Sequence, residues 1–179
     1  TTPATRARDT AGLEGEGWHP PWCQPRRLER SPRHSRRPSV ILPDVNVLLY
    51  AFRRDDNRHE NIRRWLDGVV NGDAAYGVSP QTLASLVRIS THPGIYVHPS
   101  SLSEALDFCH TLLEPEHCTV VQPGVRHWDI FTSLCRDARA TGNLVQDAWF
   151  AALAIESGCE WITTDRDYAK FSGLRWREP

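Results

Sequence analysis

The chain is 179 residues long, with a formal net charge of −1 and five cysteines that form no CxxC pair. That length accommodates one domain whose core needs no staple, and the odd, scattered cysteines argue against a disulfide framework and for a reducing, cytoplasmic setting. No run approaches the roughly 18 consecutive apolar residues of a membrane span, and no apolar signal core opens the chain.

The small net charge hides an asymmetry. Residues 1–39 hold eight arginines against four acids, which leaves thirteen basic and eighteen acidic of the chain's 21 and 22 for the remainder. An acidic globular part contacts nucleic acid through a local patch or through bridging cations, not through a uniformly basic surface. Six prolines and the pairs Arg26-Arg27 and Arg36-Arg37 interrupt the first 38 residues, so this arm is expected to be disordered or extended. It reads either as a basic arm for RNA or a partner, or as an upstream extension with no role, and composition favours the second. The absence of methionine is what a processed, trimmed or unusually started product would show.

From Val40 onward, strand and helix signals alternate, as in an α/β domain with a mostly parallel sheet. Val40-Ile41-Leu42 reads as a buried strand ending at Pro43, and Asp44 opens an apolar run through Phe52. Ile62, Trp65, Leu66, Val69 and Val70 mark an amphipathic helix from about His59 to Asn71-Gly72. Ala75 to Val78 reads as a strand, and Ser79-Pro80 caps a third helix that runs to His92-Pro93-Gly94. Ser101 or Ser103 opens a fourth, with Leu102, Ala105, Leu106, Cys109, Leu112 and Leu113 on one face.

Cys118 to Val121 is the next strand. A fifth helix places Trp128, Phe131, Leu134, Cys135 and Ala138 on its buried stripe and ends at Thr141-Gly142, and an Ala-rich sixth runs from about Leu144 to Glu156. Trp161 to Thr163 then delivers Thr164 and Asp165, and Leu174 to Arg177 closes the chain as a strand.

Three acids are aimed by this local structure: Asp44 after the first strand, Asp147 in the first turn of the sixth helix, and Asp165 after the strand at 161–163. Ligand sites of open parallel sheets lie beyond the carboxyl ends of the strands, so Asp44 and Asp165 share one edge. Asn46 and Asp167 stand two residues further on and supply more oxygens. An all-oxygen set suits Mg²⁺ or Mn²⁺, and packed carboxylates need a cation or a proton to coexist. Such an ion activates water and stabilises a leaving oxyanion, which is phosphodiester hydrolysis. Taken singly, Asp44 is equally well a helix cap, Asp147 a dipole partner and Asp165 a turn residue.

These residues carry a resemblance. Leu42-Pro43-Asp44-Val45-Asn46-Val47-Leu48-Leu49-Tyr50-Ala51, Arg88 to Pro93, Val145-Gln146-Asp147-Ala148, and Thr163-Thr164-Asp165-Arg166-Asp167-Tyr168 with Phe171 resemble the PIN domains, and more narrowly the VapC toxins of bacterial toxin–antitoxin pairs. The likeness spans residues 40–178 and leaves the arm at 1–39 outside. It implies a three-layer α/β/α domain with a mostly parallel sheet of about five strands. It also implies a Mg²⁺- or Mn²⁺-dependent endoribonuclease, usually dimeric, held inactive by a VapB-like antitoxin.

Carried over by position, Asp44, Asp147 and Asp165 become metal-binding acids, Asp167 an auxiliary acid, and Asn46 with Thr163 or Thr164 the ligand-orienting residues. Arg53, Arg54 and Arg88 are candidates for RNA phosphate contact, beside the ordinary reading of a solvated face. The departure is at Ser85, where many family members have a glutamate three residues before the arginine matched by Arg88. That leaves a rival reading, a catalytically weakened module that binds RNA or a partner. An aspartyl-nucleophile phosphohydrolase ranks last, because Asn46 stands where that chemistry wants a second acid. Cys109, His110, His117 and Cys118 read as core cysteines and surface histidines rather than as a zinc site.

Overall fold

The computed structural model describes residues 40–179. The arm assigned to 1–39 lies outside them. Five parallel strands form one sheet in the order β3-β2-β1-β4-β5, with β1 at Ile41–Pro43, β2 at Tyr76–Val78, β3 at Cys118–Val120, β4 at Glu160–Ile162 and β5 at Trp176–Arg177. Helices α1 (Val45–Phe52), α2 (His59–Val70), α3 (Pro80–Ser90) and α4 (Leu102–Leu113) share one core with β2, and α5 (His127–Asp137) and α6 (Asn143–Ser157) pack in the second. The expected three-layer α/β/α architecture is the one observed.

The two-residue period of a strand explains the two cores. Tyr76, Val78 and Ile162 enter the first, while Leu42 and Trp161 enter the second. Gly77, between Tyr76 and Val78, faces the second core, where a Cβ would come within 2.8 Å of Val121. Only glycine lets β2 lie that close to its neighbours.

The caps follow the sequence. Ser79 accepts from the Gln81 amide, with Pro80 at the first helical position. At α4 the cap is Ser101 rather than Ser103, and Ser101 and Glu104 form a reciprocal capping box. Among the described residues no helix is long and apolar enough to cross a membrane.

Three packing expectations need correction. Trp128, assigned to the buried stripe of α5, is 63% exposed, and the preceding His127 is buried instead. His127 Nε2 donates to the Trp149 carbonyl at 3.0 Å, and its ring lies 4.1 Å from that of Trp149, so the imidazole takes the inward position. On α4 only Ala105, Cys109 and Leu112 are buried, while Leu102, Leu106 and Leu113 lie on the rim of a peripheral helix. Helix α6 begins at Asn143, so Asp147 falls in its second turn and is not a first-turn partner of the dipole.

Candidate active site

Pairing of β1 with β4 places Pro43 opposite Ile162, and the Asp44 amide continues that ladder by donating to the Ile162 carbonyl at 2.9 Å. Asp44 and Thr163, the residues that follow, are therefore neighbours at the carboxyl edge of the sheet. Helix α6 feeds β4 and runs against it, so its amino-terminal half, with Asp147, returns to the same edge. Asp165 follows two residues after Thr163 and caps the 3-10 helix Arg166–Lys170 by accepting from the Asp167 amide at 2.8 Å.

Thr163 is the hub of this edge. Its buried hydroxyl donates to Asp44 Oδ2 at 2.7 Å and accepts from Asn46 Nδ2 and from the Asp165 amide, each at 3.0 Å. The other Asp44 oxygen accepts from the Val45 amide at 2.6 Å, so the residue caps α1 as well as facing the acids. Because the Thr163 proton goes to Asp44, Asn46 must approach the hydroxyl with its amide nitrogen. That leaves the buried Asn46 Oδ1 without a partner among the described residues. Of the two threonines considered, Thr163 does this work, and Thr164 has no part in the network.

The electrostatics reflect crowding. Asp44, 4% exposed, has its carboxyl pushed up to about 7, chiefly by desolvation. Asp147 and Asp165 raise it further, while the hydrogen bonds from Thr163 and Val45 oppose the shift. Asp147 is pushed up to about 6, again mainly by desolvation and then by Asp165 and Asp167, with Lys170 and the Tyr168 hydroxyl acting the other way. Lys170 pairs with Asp167 at 2.9 Å, so that acid is already partly neutralised.

Tyr168 and Lys170 are neighbours of the acids that the sequence reading missed. The phenol of Tyr168 is buried and driven far above its usual range by desolvation, so it stays protonated and can donate to Asp147. Their signal was the tight turn after β4, which gathers positions 165, 167, 168 and 170 around one strand end.

The arginines separate. Arg53 is buried and unavailable to RNA: it pairs with Asp55, donates to the His98 carbonyl at 3.0 Å and Ser100 Oγ at 2.9 Å, and lies 4.0 Å from the centre of the Tyr96 ring. It latches the connection between α3 and α4 onto the end of α1, which corrects its assignment as an RNA contact. Arg53→Ala is expected to destabilise the fold by about 2–4 kcal/mol. Urea unfolding together with faster amide exchange at 91–101 checks this. Arg54 is exposed in the α1–α2 connection, and Arg88 is exposed in the last turn of α3. Ser85, on the same helix, is half-buried and supplies no carboxylate.

A parallel sheet in the order β3-β2-β1-β4-β5, with Asp44 and Asp165 following strands at its carboxyl edge, is the arrangement expected of a PIN domain. The model of the PIN domain family matches residues 41–174, and the chain belongs to that family. It is 38% identical to ribonuclease VapC43 from Mycobacterium tuberculosis over 140 residues, covering 78% of this chain and 95% of that one. Ribonuclease VapC25 of the same organism is 35% identical, with 78% and 99% covered. Among solved structures, the VapBC2 complex from Rickettsia felis bound to promoter DNA has a TM-score of 0.55 at 14% identity, covering 78% of this chain and 98% of that one. The sarcin-ricin loop cleaving toxin VapC20 of M. tuberculosis has a TM-score of 0.53 at 16% identity, with 75% and 98% covered. At such identities the structural likeness speaks for the fold.

Proposed function

We propose that residues 40–179 form a Mg²⁺- or Mn²⁺-dependent endoribonuclease, the toxin of a toxin–antitoxin pair, which hydrolyses RNA phosphodiester bonds. The observation that carries this reading is the convergence of Asp44, Asp147 and Asp165 in one field, with Asp44 buried and both Asp44 and Asp147 raised toward neutrality. Uncompensated carboxylates beside an orphaned amide oxygen fit a hard cation. Among the described residues no group of three His, Cys, Asp or Glu side chains is disposed to hold a metal ion by itself, so the proposal requires water and phosphate oxygens to complete the shell.

Asp44, Asp147 and Asp165 would hold the ion, with Asn46 Oδ1 orienting a ligand and Asp167 in an auxiliary place. When bound, the ion supplies an activated water and neutralises the departing oxyanion. Thr163 fixes the Asp44 carboxylate and the Asn46 amide in one geometry, and Tyr168 and Lys170 favour the ionised form of Asp147. Arg54 and Arg88 remain candidates for phosphate contact.

A VapB-like antitoxin is the natural inhibitor, presenting an arginine or lysine to the acids as a substitute for the cation. Homodimerisation and a cytoplasmic location complete the proposal. The latter accords with the free thiols of Cys109, Cys118, Cys135 and Cys159.

Purified protein is expected to cleave structured RNA in Mg²⁺ or Mn²⁺, and Asp147→Ala to remove cleavage while leaving the circular dichroism spectrum intact. Cleavage that survives in this variant, after contaminating nuclease is excluded, contradicts the reading. Ser85 and the open acid set favour one rival, a binding module without catalysis, for which cation uptake is the discriminating observation.

A further inference from the structure

The fourth carboxylate of the edge, Asp167, already has a counter-charge. Lys170 Nζ lies 2.9 Å from Asp167 Oδ1. The two residues stand three apart on the 3-10 helix Arg166–Lys170, where side chains at that spacing lie one above the other. The turn that presents them is anchored. Asp165 caps it through the Asp167 amide at 2.8 Å, and the Asp165 amide donates in turn to Thr163 Oγ1 at 3.0 Å. Tyr168 and Phe171 are buried beneath it, and the Tyr168 ring lies 5.5 Å from that of Trp161 and 5.9 Å from that of Phe171. The pair therefore forms on a fixed backbone and does not depend on two loose segments meeting.

The acids are also graded across the edge. Asp165 acts on both Asp44 and Asp147, whereas Asp167 and Lys170 are among the main influences on Asp147 and not on Asp44. Asp167 and its lysine thus stand on the Asp147 side, away from the buried end where Asp44 and the unpartnered Asn46 Oδ1 lie. A carboxylate that a divalent ion recruits from an ion pair must give up its ammonium, whereas Asp44, Asp147 and Asp165 have no ion-pair partner among the described residues. Ser85 on α3 adds no carboxylate to compensate.

We infer that Lys170 is a positioning residue of the acid site: it holds Asp167 off the cation, so that Asp44, Asp147 and Asp165 bind a single ion. This inference rests on the cation-dependent nuclease reading above. Its consequence is that removing the lysine charge improves cation binding, and does so through Asp167. A gain in affinity cannot come from a damaged fold.

Calorimetric titration of the full chain with Mn²⁺ at pH 8 tests this without reference to cleavage. Wild-type protein is expected to bind one ion per chain, and Lys170→Met to bind it about three- to fivefold more tightly. Asp167→Asn should cost at most about twofold in the wild-type background but should remove the whole gain in the Lys170→Met background. Lys170→Arg restores a partner for Asp167 and should return the affinity to that of wild type. Lys170 is the chain's only lysine, so its ¹³C-methylated amine gives one side-chain resonance, which should move in Asp167→Asn. The inference is overturned by two ions in wild type, by no gain in Lys170→Met, or by a resonance indifferent to Asp167→Asn. Equal costs of Asp167→Asn in the two backgrounds mark a general field effect and overturn it as well. Wild-type protein that takes up no Mn²⁺ overturns the cation site itself, a result seen without any variant.

Discussion

Asp44→Asn is expected to abolish RNA cleavage and, in the absence of divalent cation, to make the protein more stable at pH 8. Burial and two neighbouring acids push the Asp44 carboxyl up to about 7, from 3.8 in a free aspartate. A carboxyl whose folded pKa is raised costs nothing below its unfolded value, where both states are protonated. As pH rises from about 4 to about 7 the unfolded chain loses its proton first, and stability drains away. Between pH 5 and pH 8 the wild-type fold should lose roughly 2–3 kcal/mol through this group. Asp147, raised to about 6, adds in the same direction, discounted for its partial exposure. The amide introduced by Asp44→Asn carries no charge, so the variant's advantage at pH 8 should shrink by that amount at pH 5 and vanish only below about pH 4. Urea unfolding in EDTA at both pH values measures the difference. A variant less stable than wild type at pH 8 by as much as at pH 5 would show that the carboxylate is not strained by its surroundings.

Thr163→Val should have the second largest effect, because the exchange keeps shape and removes the hydroxyl that three partners use. Asp44 Oδ2 loses its donor, while Asn46 Nδ2 and the Asp165 amide lose their acceptor. Leaving such groups unsatisfied in a buried setting costs about 2–4 kcal/mol here. The Asp44 carboxyl should climb further, since the Thr163 hydrogen bond is the largest of the influences that lower it. Cleavage is expected to fall by at least about a hundredfold, through misplacement of Asp44 and Asn46 together. Thr163→Ser keeps the hydroxyl and should keep most of both stability and activity. Equal losses in the serine and valine variants would place the importance of the position in its methyl group instead.

Asp44 and Asp165 could be set at one edge because a strand end fixes where the chain goes next, whereas Asp147 reaches that edge only because α6 runs back against β4. Thr163 could not be separated from Thr164 on that basis. The choice depends on the register that sets Pro43 opposite Ile162 across a gap of more than a hundred residues. Arg53 was misread for a related reason, because an arginine after a short helix looks solvated until Tyr96, His98 and Ser100 return from the α3–α4 connection to bury it. His127 and Trp128 are adjacent on one helix, about 100° apart, and hydrophobicity alone points the wrong one inward. The Trp149 carbonyl, which decides between them, belongs to another element. The start of α6 at Asn143 lies one residue before the expected Leu144, which is enough to carry Asp147 from the first turn into the second.

Mn²⁺ uptake measured by calorimetry at pH 6.5, in buffers of different ionisation enthalpy, tests the acid cluster most directly. With carboxyls at about 7 and about 6, Asp44 and Asp147 are partly protonated at that pH, and cation binding must expel those protons. The account predicts saturable Mn²⁺ binding, strengthened by uncleavable RNA, with roughly one proton released per protein and the release lost in Asp44→Asn. No Mn²⁺ uptake, with or without that RNA, would contradict it and leave a PIN domain that binds without cutting.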